Sequence, residues 1–268
     1  MRLFRGKKEA EKILSDLKKK IRKERISPGL AVILVDGDRA SRLYIGLKKK
    51  AARRVGIKVF LFKFSRKAGQ KRIIEKIKSL NKKKNIHGIL VQLPLPKGYN
   101  TDKIIKAIDP EKDADKNVLP SAIYLAFKRG LMRVGKKKTT AVVNSRFFGE
   151  NLKRFFSEKG VKIDHILKKN FSLSKIRKAD VIIAVCGCHK FIKGDMIKKG
   201  AILIDAGIPA DVDKESVKKK AAFLTPVPGG IGPVTVALLL KNVYKKYYGS
   251  SKTHRSYQSK SQRHLRRH

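Results

Sequence analysis

The feature that most constrains this chain is the alternation of short, continuous apolar runs with amphipathic stretches of helical length. The runs are LAVILV (30–35), VFLFKF (59–64), GILVQL (88–93), TAVV (140–143), VIIAV (181–185) and AILIDAG (201–207). Before and between them lie KEAEKILSDLKKKIRK, KRIIEKIKSLNKK, ENLKRFFSEKG and KGDMIKKG, which read as helices. A strand that is apolar at successive positions has both faces buried, and a parallel sheet covered by helices supplies that environment. The pattern therefore predicts an α/β fold. Polar residues and helix breakers gather in DPEKDADKNVLP (109–120), which marks a boundary between a first domain, 1–117, and a second, 118–232. GPVTVALLLKNVYKKYYG (232–249) reads as a long closing helix, with 233–248 packing back on the first domain. From 249 to 268 the text has no apolar period and predicts a disordered basic tail.

Charge and composition narrow the function classes. Lys and Arg number 67 against 21 Asp and Glu, a formal net charge of +46, spread along the whole chain. Repulsion on that scale costs stability at low salt. Three readings compete: a coding bias toward lysine, steering of an anionic small substrate, and nucleic-acid binding. The last expects charge clustered on one element, and only the tail clusters it. No apolar run approaches the roughly 20 residues that span a bilayer. MRLFRGKKEAEKIL reads as an amphipathic helix without a signal-peptide core, so a cytoplasmic location is expected. Cys186 and Cys188 are too close for an ordinary disulfide and too few for a structural zinc site. They read as a strand-end pair of small residues, with a weak metal contact as the alternative. The six His residues include no HExxH pair, and no metal is expected.

SRLYIGLKKK (41–50) comes just after the first apolar run. Ser41 is a good helix N-cap, because its hydroxyl can accept from a free backbone N–H of the first turn. A helix starting there puts Tyr44 and Lys48 on one face, four residues apart, beyond the carboxyl end of a strand, where open α/β sheets bind ligands. The bland alternative is a solvated lysine face. In GILVQLPLP (88–96) the prolines stiffen the exit from a strand and hold the Gln92 amide at its end.

Read together, LAVILVDGDRASRLYIGLKKKAARRVGI, HGILVQLPLP, TDKIIKAIDPEKDAD, FIKGDMIKKGAILIDAGI and LTPVPGGIGPVTVALLLKN resemble the bifunctional methylenetetrahydrofolate dehydrogenase and methenyltetrahydrofolate cyclohydrolase family. The resemblance extends to about Tyr248. It implies a folate domain, a Rossmann-like cofactor domain, tetrahydrofolate as substrate, NADP as the likelier redox partner with NAD possible, and a homodimer. It also implies hydride transfer from the methylene carbon, then attack of water on the methenyl cation. Carried over residue by residue, it makes Lys48 the acid or base, with a pKa lowered from about 10.4 by desolvation or by neighbours such as Lys49 and Lys50 if they point inward. Gln92 and Tyr44 become its positioning partners. Asp115 becomes the anchor for the pterin edge, and Ser41 a cap or a site-lining hydroxyl. Pro228, Gly229, Gly232 and Pro233, in TPVPGGIGPVT, would line the cleft between folate and nicotinamide. Ser145 and Ile208 would contact the cofactor.

Two departures from the family pattern matter. Aligned on Gly149, this chain has Val143, Asn144 and Ser145 where Gly-Arg-Ser is expected, so it lacks the glycine that admits a dinucleotide and the arginine that grips its phosphate. Arg146, Lys168 and Lys169 are the available replacements, with Asn144 beside them. After Asp115 the chain passes through Lys116 and Asn117 almost directly to VLPSAIYLAFKRG, a shortened connection. A cyclohydrolase-only or folate-binding relative is the alternative these departures imply.

Overall fold

The structure, a computed structural model, describes residues 1–36, 39–131 and 139–265, with the backbone alone for 39–40, 147 and 250–265. In chain order the elements begin with β1 (Arg2–Leu3), α1 (Gly6–Lys23), β2 (Gly29–Val35), α2 (Arg39–Val55), β3 (Lys58–Phe64), α3 (Gln70–Lys82), β4 (Gly88–Val91) and α4 (Thr101–Lys106). There follow α5 (Val118–Leu131), β5 (Thr139–Val143), α6 (Arg146–Ser157), β6 (Ile163–Leu167), α7 (Leu173–Lys178) and β7 (Val181–Val185). The last are β8 (Ile202–Asp205), α8 (Lys214–Val217), β9 (Phe223–Leu224) and α9 (Ile231–Leu265). Two compact units result, one of residues 12–116 and 236–268, the other of 1–11 and 117–235.

The first unit is built on a three-stranded parallel sheet in the order β3-β2-β4. All seven residues of β2 are buried, as an apolar central strand with two covered faces must be. In α3, Ile73, Ile77 and Leu80 recur at helical spacing, and all three pack into one core with Ala31, Ile33 and Ile89. The body of α9 packs here too. Its Asn242 amide donates to the Ala114 carbonyl at 3.1 Å, and a Cβ on Gly88 would stand only 2.8 Å from Val243 Cγ2. Glycine at 88 lets the helix lie close against the sheet. His87 is buried, accepts from the Gly29 backbone N–H through Nδ1 at 2.9 Å, and packs at a tilt against Tyr247 with ring centroids 4.6 Å apart. One side chain thus ties the start of β2, the approach to β4 and α9.

The second unit holds a six-stranded parallel sheet in the order β1-β9-β8-β7-β5-β6. From β5, which lies next to the edge, the chain goes one way to β6 at the edge and then the other way to β7, so the strand order reverses beside β5. Phe156, fully buried, sits among the rings of Tyr124, Phe127 and Phe155, which joins α5 to α6. A Cβ on Gly149 would fall 2.4 Å from His165 Cδ2, so only glycine lets α6 lie this close to β6.

Several sequence expectations differ from the structure. The first residues do not belong wholly with the first domain: β1 pairs with β9 of the second sheet, Arg2 opposite Phe223. KGDMIKKG (193–200) is not a helix but a single 3-10 turn, Gly194–Met196. There the backbone runs so close to Ser216 that a Cβ on Gly194 would meet its carbonyl at 2.1 Å. The closing helix does not stop at Gly249 but continues to Leu265. One glycine costs a helix only about 1 kcal/mol, and the Lys, Arg, Ser and Gln that follow tolerate helical backbone. Among the described residues no helix is long and apolar enough to cross a membrane.

The His87 contact generates a pH dependence. Burial, then the Lys112 ammonium, hold His87 below its ordinary pKa of 6.5, so in that window the unfolded chain binds more protons than the folded one. Stability is expected to fall as the pH drops below about 6.5, by at most ~1.4 kcal/mol per pH unit for one proton. Urea midpoints measured from pH 7.5 to 5 check this, and His87→Gln should flatten that part of the slope.

Candidate active site

The carboxyl ends of β2 and β4 carry the residues that the sequence singles out in the first unit. β4 ends at Val91, yet the Gln92 backbone N–H still donates to the Ile33 carbonyl at 2.9 Å, which extends the ladder by one bond. The buried Gln92 side chain is then fixed at both ends. Its Nε2 donates to the Leu93 carbonyl at 2.6 Å, and its Oε1 accepts from Lys48 Nζ at 2.8 Å. With the amide nitrogen committed to a carbonyl, the oxygen is the end presented to the lysine.

Lys48 comes from α2, which leaves β2 and returns along the sheet. Tyr44 is half-buried one turn earlier on the same face. Burial holds the Lys48 ammonium below the ordinary lysine pKa, and the Asp115 carboxylate offsets part of that push. Asp115 follows the isolated bridge of Ile89 with Asp113, and its backbone N–H donates to Asp113 Oδ1 at 3.0 Å. Desolvation raises the Asp115 pKa, Lys48 lowers it and Asp113 raises it again. Asp115 nevertheless retains an exposed surface, so water screens this charge. The arrangement is an ammonium whose pKa burial lowers, an amide that orients it and a carboxylate within electrostatic reach.

Two expectations are corrected here. Ser41 does not cap α2, which starts at Arg39; Ser41 is buried within its first turn. DGDRAS offers several capping residue types, so the sequence alone did not single out the start of the helix. Lys49 and Lys50 are both exposed and do not turn inward to depress Lys48; burial of Lys48 itself is the dominant cause.

The second unit holds the remaining residues. Ser145 caps α6, its hydroxyl accepting from the Phe148 backbone N–H at 3.3 Å, and Asn144 and Arg146 are exposed on either side. The Asn144 amide donates to the Cys186 carbonyl, across the point where the strand order reverses between β5 and β7. Lys168 is exposed just beyond β6, beside Lys169 in a short 3-10 turn, and Ile208 is 58% exposed beyond β8. The carboxyl ends of four neighbouring strands thus present Asn144 to Arg146, Lys168, the Cys186 loop and Ile208. Open α/β sheets bind dinucleotides in the crevice at such a reversal. Pro228, Gly229, Gly232 and Pro233 also belong to this unit. Gly229 takes φ of 103°, which glycine alone adopts readily, and Gly232 and Pro233 lie in the first turn of α9, where proline needs no partner for its missing N–H.

Sequence reasoning missed two buried acids in DAGIPADVD. Asp205 accepts from the Gly207 and Val212 backbone N–H groups, both at 2.9 Å, and its pKa is pushed up to about 6, chiefly by burial. Asp211, fully buried, accepts from Cys186 N at 2.8 Å and Cys188 N at 2.5 Å. Acids directly after an apolar strand were the available signal.

The Lys48 geometry sets a sign that can be checked. In Asp115→Asn the carboxylate no longer supports the ammonium, so the Lys48 titration is expected to move to lower pH than in the unaltered chain. The 13Cε shift of Lys48 followed against pH measures it; a move upward would contradict this account.

Comparison with known proteins agrees with this organisation. Residues 4–115 match the model for the tetrahydrofolate dehydrogenase/cyclohydrolase catalytic domain, and residues 118–251 match that for its NAD(P)-binding domain. The chain is 36% identical to the bifunctional protein FolD of Nautilia profundicola, over 91% of this chain and 96% of that one. It is 37% identical to the FolD of Nitratiruptor, over 91% and 97%. Among solved structures it is similar to the Campylobacter jejuni bifunctional enzyme FolD, with a TM-score of 0.85, 32% identity and coverage of 93% and 99%. It is similar also to the Trypanosoma brucei enzyme complexed with NADP cofactor and inhibitor, with a TM-score of 0.81, 26% identity and coverage of 93% and 98%. With both halves matched in order and a relative above one-third identity along nearly the whole length, the chain belongs to the tetrahydrofolate dehydrogenase/cyclohydrolase family.

Proposed function

We propose that Lys48, Gln92, Tyr44 and Asp115 carry the folate chemistry of this chain. The reactions are oxidation of 5,10-methylenetetrahydrofolate with NADP, and hydrolysis of the 5,10-methenyl product to 10-formyltetrahydrofolate. The observation that carries the assignment is the 2.8 Å hydrogen bond from Lys48 Nζ to Gln92 Oε1, made by a lysine whose pKa burial has lowered. A general base must be neutral part of the time near the working pH, and burial shifts Lys48 in that direction. Gln92 keeps the amine aimed while it gains and loses the proton. Tyr44 supplies a ring for packing against a flat substrate, and Asp115 two acceptor oxygens for the paired N–H groups of a pterin edge. Ser41 lines the same helix turn. We assign Pro228, Gly229, Gly232 and Pro233 to the substrate as well, on the resemblance of their block to the family's.

The carboxyl ends of β5 to β8 fit a dinucleotide in kind, with exposed cations and the N-terminus of α6 available for phosphate. Arg146, Lys168 and Ser145 would hold phosphate oxygens, and Asn144 and Ile208 would border the ring system. NADP supplies the acceptor for the hydride when it is bound. Asn144 makes its bond to Cys186 across that crevice, which favours as second reading a relative that hydrolyses without binding NADP.

Absorbance of reduced nicotinamide, with methylenetetrahydrofolate and NADP or NAD, tests the first step, and loss of methenyl absorbance the second. Both are expected. Hydrolysis without reduction would favour the second reading. Lys48→Ala should lower hydrolysis by about 10²–10⁴-fold, and unchanged hydrolysis would remove Lys48 from the mechanism.

We also place the protein in the cytoplasm as a homodimer, on the family resemblance, with its excess charge free to attract polyanions. Sedimentation velocity reads the dimer. Any polyanion complex should weaken steeply between 50 and 200 mM salt and largely vanish without residues 250–268.

A further inference from the structure

Cys186, Gly187 and Cys188 form the turn that leaves β7. Gly187 takes φ of 64°, which lets the chain reverse. The two sulfurs and a carboxylate oxygen of Asp211 all lie within 4.8 Å of one another. The Asp211 carboxylate is anchored by the backbone N–H groups of the same two cysteines. Each oxygen spends one lone pair there and keeps another. The carboxylate and the thiols are therefore positioned by one another before any ligand arrives. Cys186 and Asp211 are buried, whereas Cys188 is half-buried and gives access from outside. Lys168 stands beside this group, with Cys188 as its nearest electrostatic neighbour there.

From this geometry we propose that Cys186, Cys188 and Asp211 form a binding site for one thiophilic divalent cation of the Zn²⁺ class, with water in a fourth position. Tetrahedral Zn²⁺ takes sulfur at about 2.3 Å and carboxylate oxygen at about 2.0–2.2 Å. Ligand atoms gathered within 4.8 Å reach those distances by small side-chain rotations. The charges balance. The hydrated dication displaces one proton from each thiol and binds two thiolates and one carboxylate, giving a centre of net charge −1 and two released protons. The Lys168 ammonium compensates that charge. The two backbone N–H groups on Asp211 supply the outer hydrogen bonds that usually orient a ligating carboxylate. The site is distinct from the Lys48 group, and no nucleotide or folate enters its test.

The test uses the full chain, without a metal-binding tag, under a phosphine reductant that keeps the thiols from pairing as a disulfide. Co²⁺ is the probe. One equivalent should produce a thiolate-to-cobalt charge-transfer band and the intense visible bands of four-coordinate cobalt. Zn²⁺ should then erase both, and calorimetry in buffers of different ionisation enthalpy should count two protons released per ion. Cys188→Ser, at the half-exposed position, should lose the charge-transfer band and the tight binding. Cys186→Ser should do the same, with circular dichroism verifying that it folds. A spectrum of octahedral cobalt alone in the unaltered protein would overturn the proposal, as would a band that survives in either folded variant.

Discussion

A lysine ammonium taken partly out of water needs a polar partner at hydrogen-bond distance, and the strand ends around Lys48 in the first unit are arranged around that need. A hydrogen bond to a charged group contributes about 1.5–3 kcal/mol, and leaving the charge unpaired costs at least as much. Gln92 meets the requirement only because β4 lies in register beside β2, with Gln92 N donating to the Ile33 carbonyl. β2 in turn stays at the centre because all seven of its residues are buried. The site is therefore an outcome of core packing: the same strand that forms the middle of the sheet also launches the helix that carries Lys48.

The second unit solves a different problem with the same kind of accounting. Loops leaving parallel strands carry backbone N–H groups that the sheet no longer satisfies, and buried donors must find acceptors. Asp205 and Asp211 provide them, each carboxylate taking two backbone N–H groups from the loops after β7 and β8. Thr225 adds a hydroxyl that accepts from Asp205 N at 2.7 Å and donates to Asp205 O at 2.8 Å. Burying acids is costly, which is why Asp205 holds its proton more tightly than an ordinary carboxyl. The return is a rigid rim at the strand ends, where the Cys186 turn, Asn144 and Ile208 are held. The departure from Gly-Arg-Ser fits this local economy, since Val143 fills the core and Asn144 spans to the Cys186 carbonyl.

The charge excess belongs to neither site. The ion pairs of Arg129 with Glu9 and of Lys198 with Asp180 are partly exposed, and such pairs add little to stability. Their weight is small beside a net charge of +46. What that charge does do is create a positive field over the surface, which raises the local concentration of anionic molecules. That argument bears on encounter rates, not on fold.

The sequence by itself determined the fold class, the central strands and the residues to watch. Continuous apolar runs have few alternatives once both faces must be covered, so β2, β5 and β7 were legible. The QLPLP exit and the Tyr44-to-Lys48 spacing were legible too, because they depend on local geometry. β6 was harder to read, since IDHIL interrupts its apolar pattern with Asp164 and His165. β1 and β9, two residues each, form only by pairing with other strands, β9 with β8 and β1 with β9, and no local signal marks them. Only the tertiary structure decided that Gln92 meets Lys48, that Lys49 and Lys50 stay in water, and that Asp211 closes on the Cys186 turn. These contacts join residues 44 and 25 positions apart, and their partners are chosen by strand order and burial rather than by neighbours in the chain.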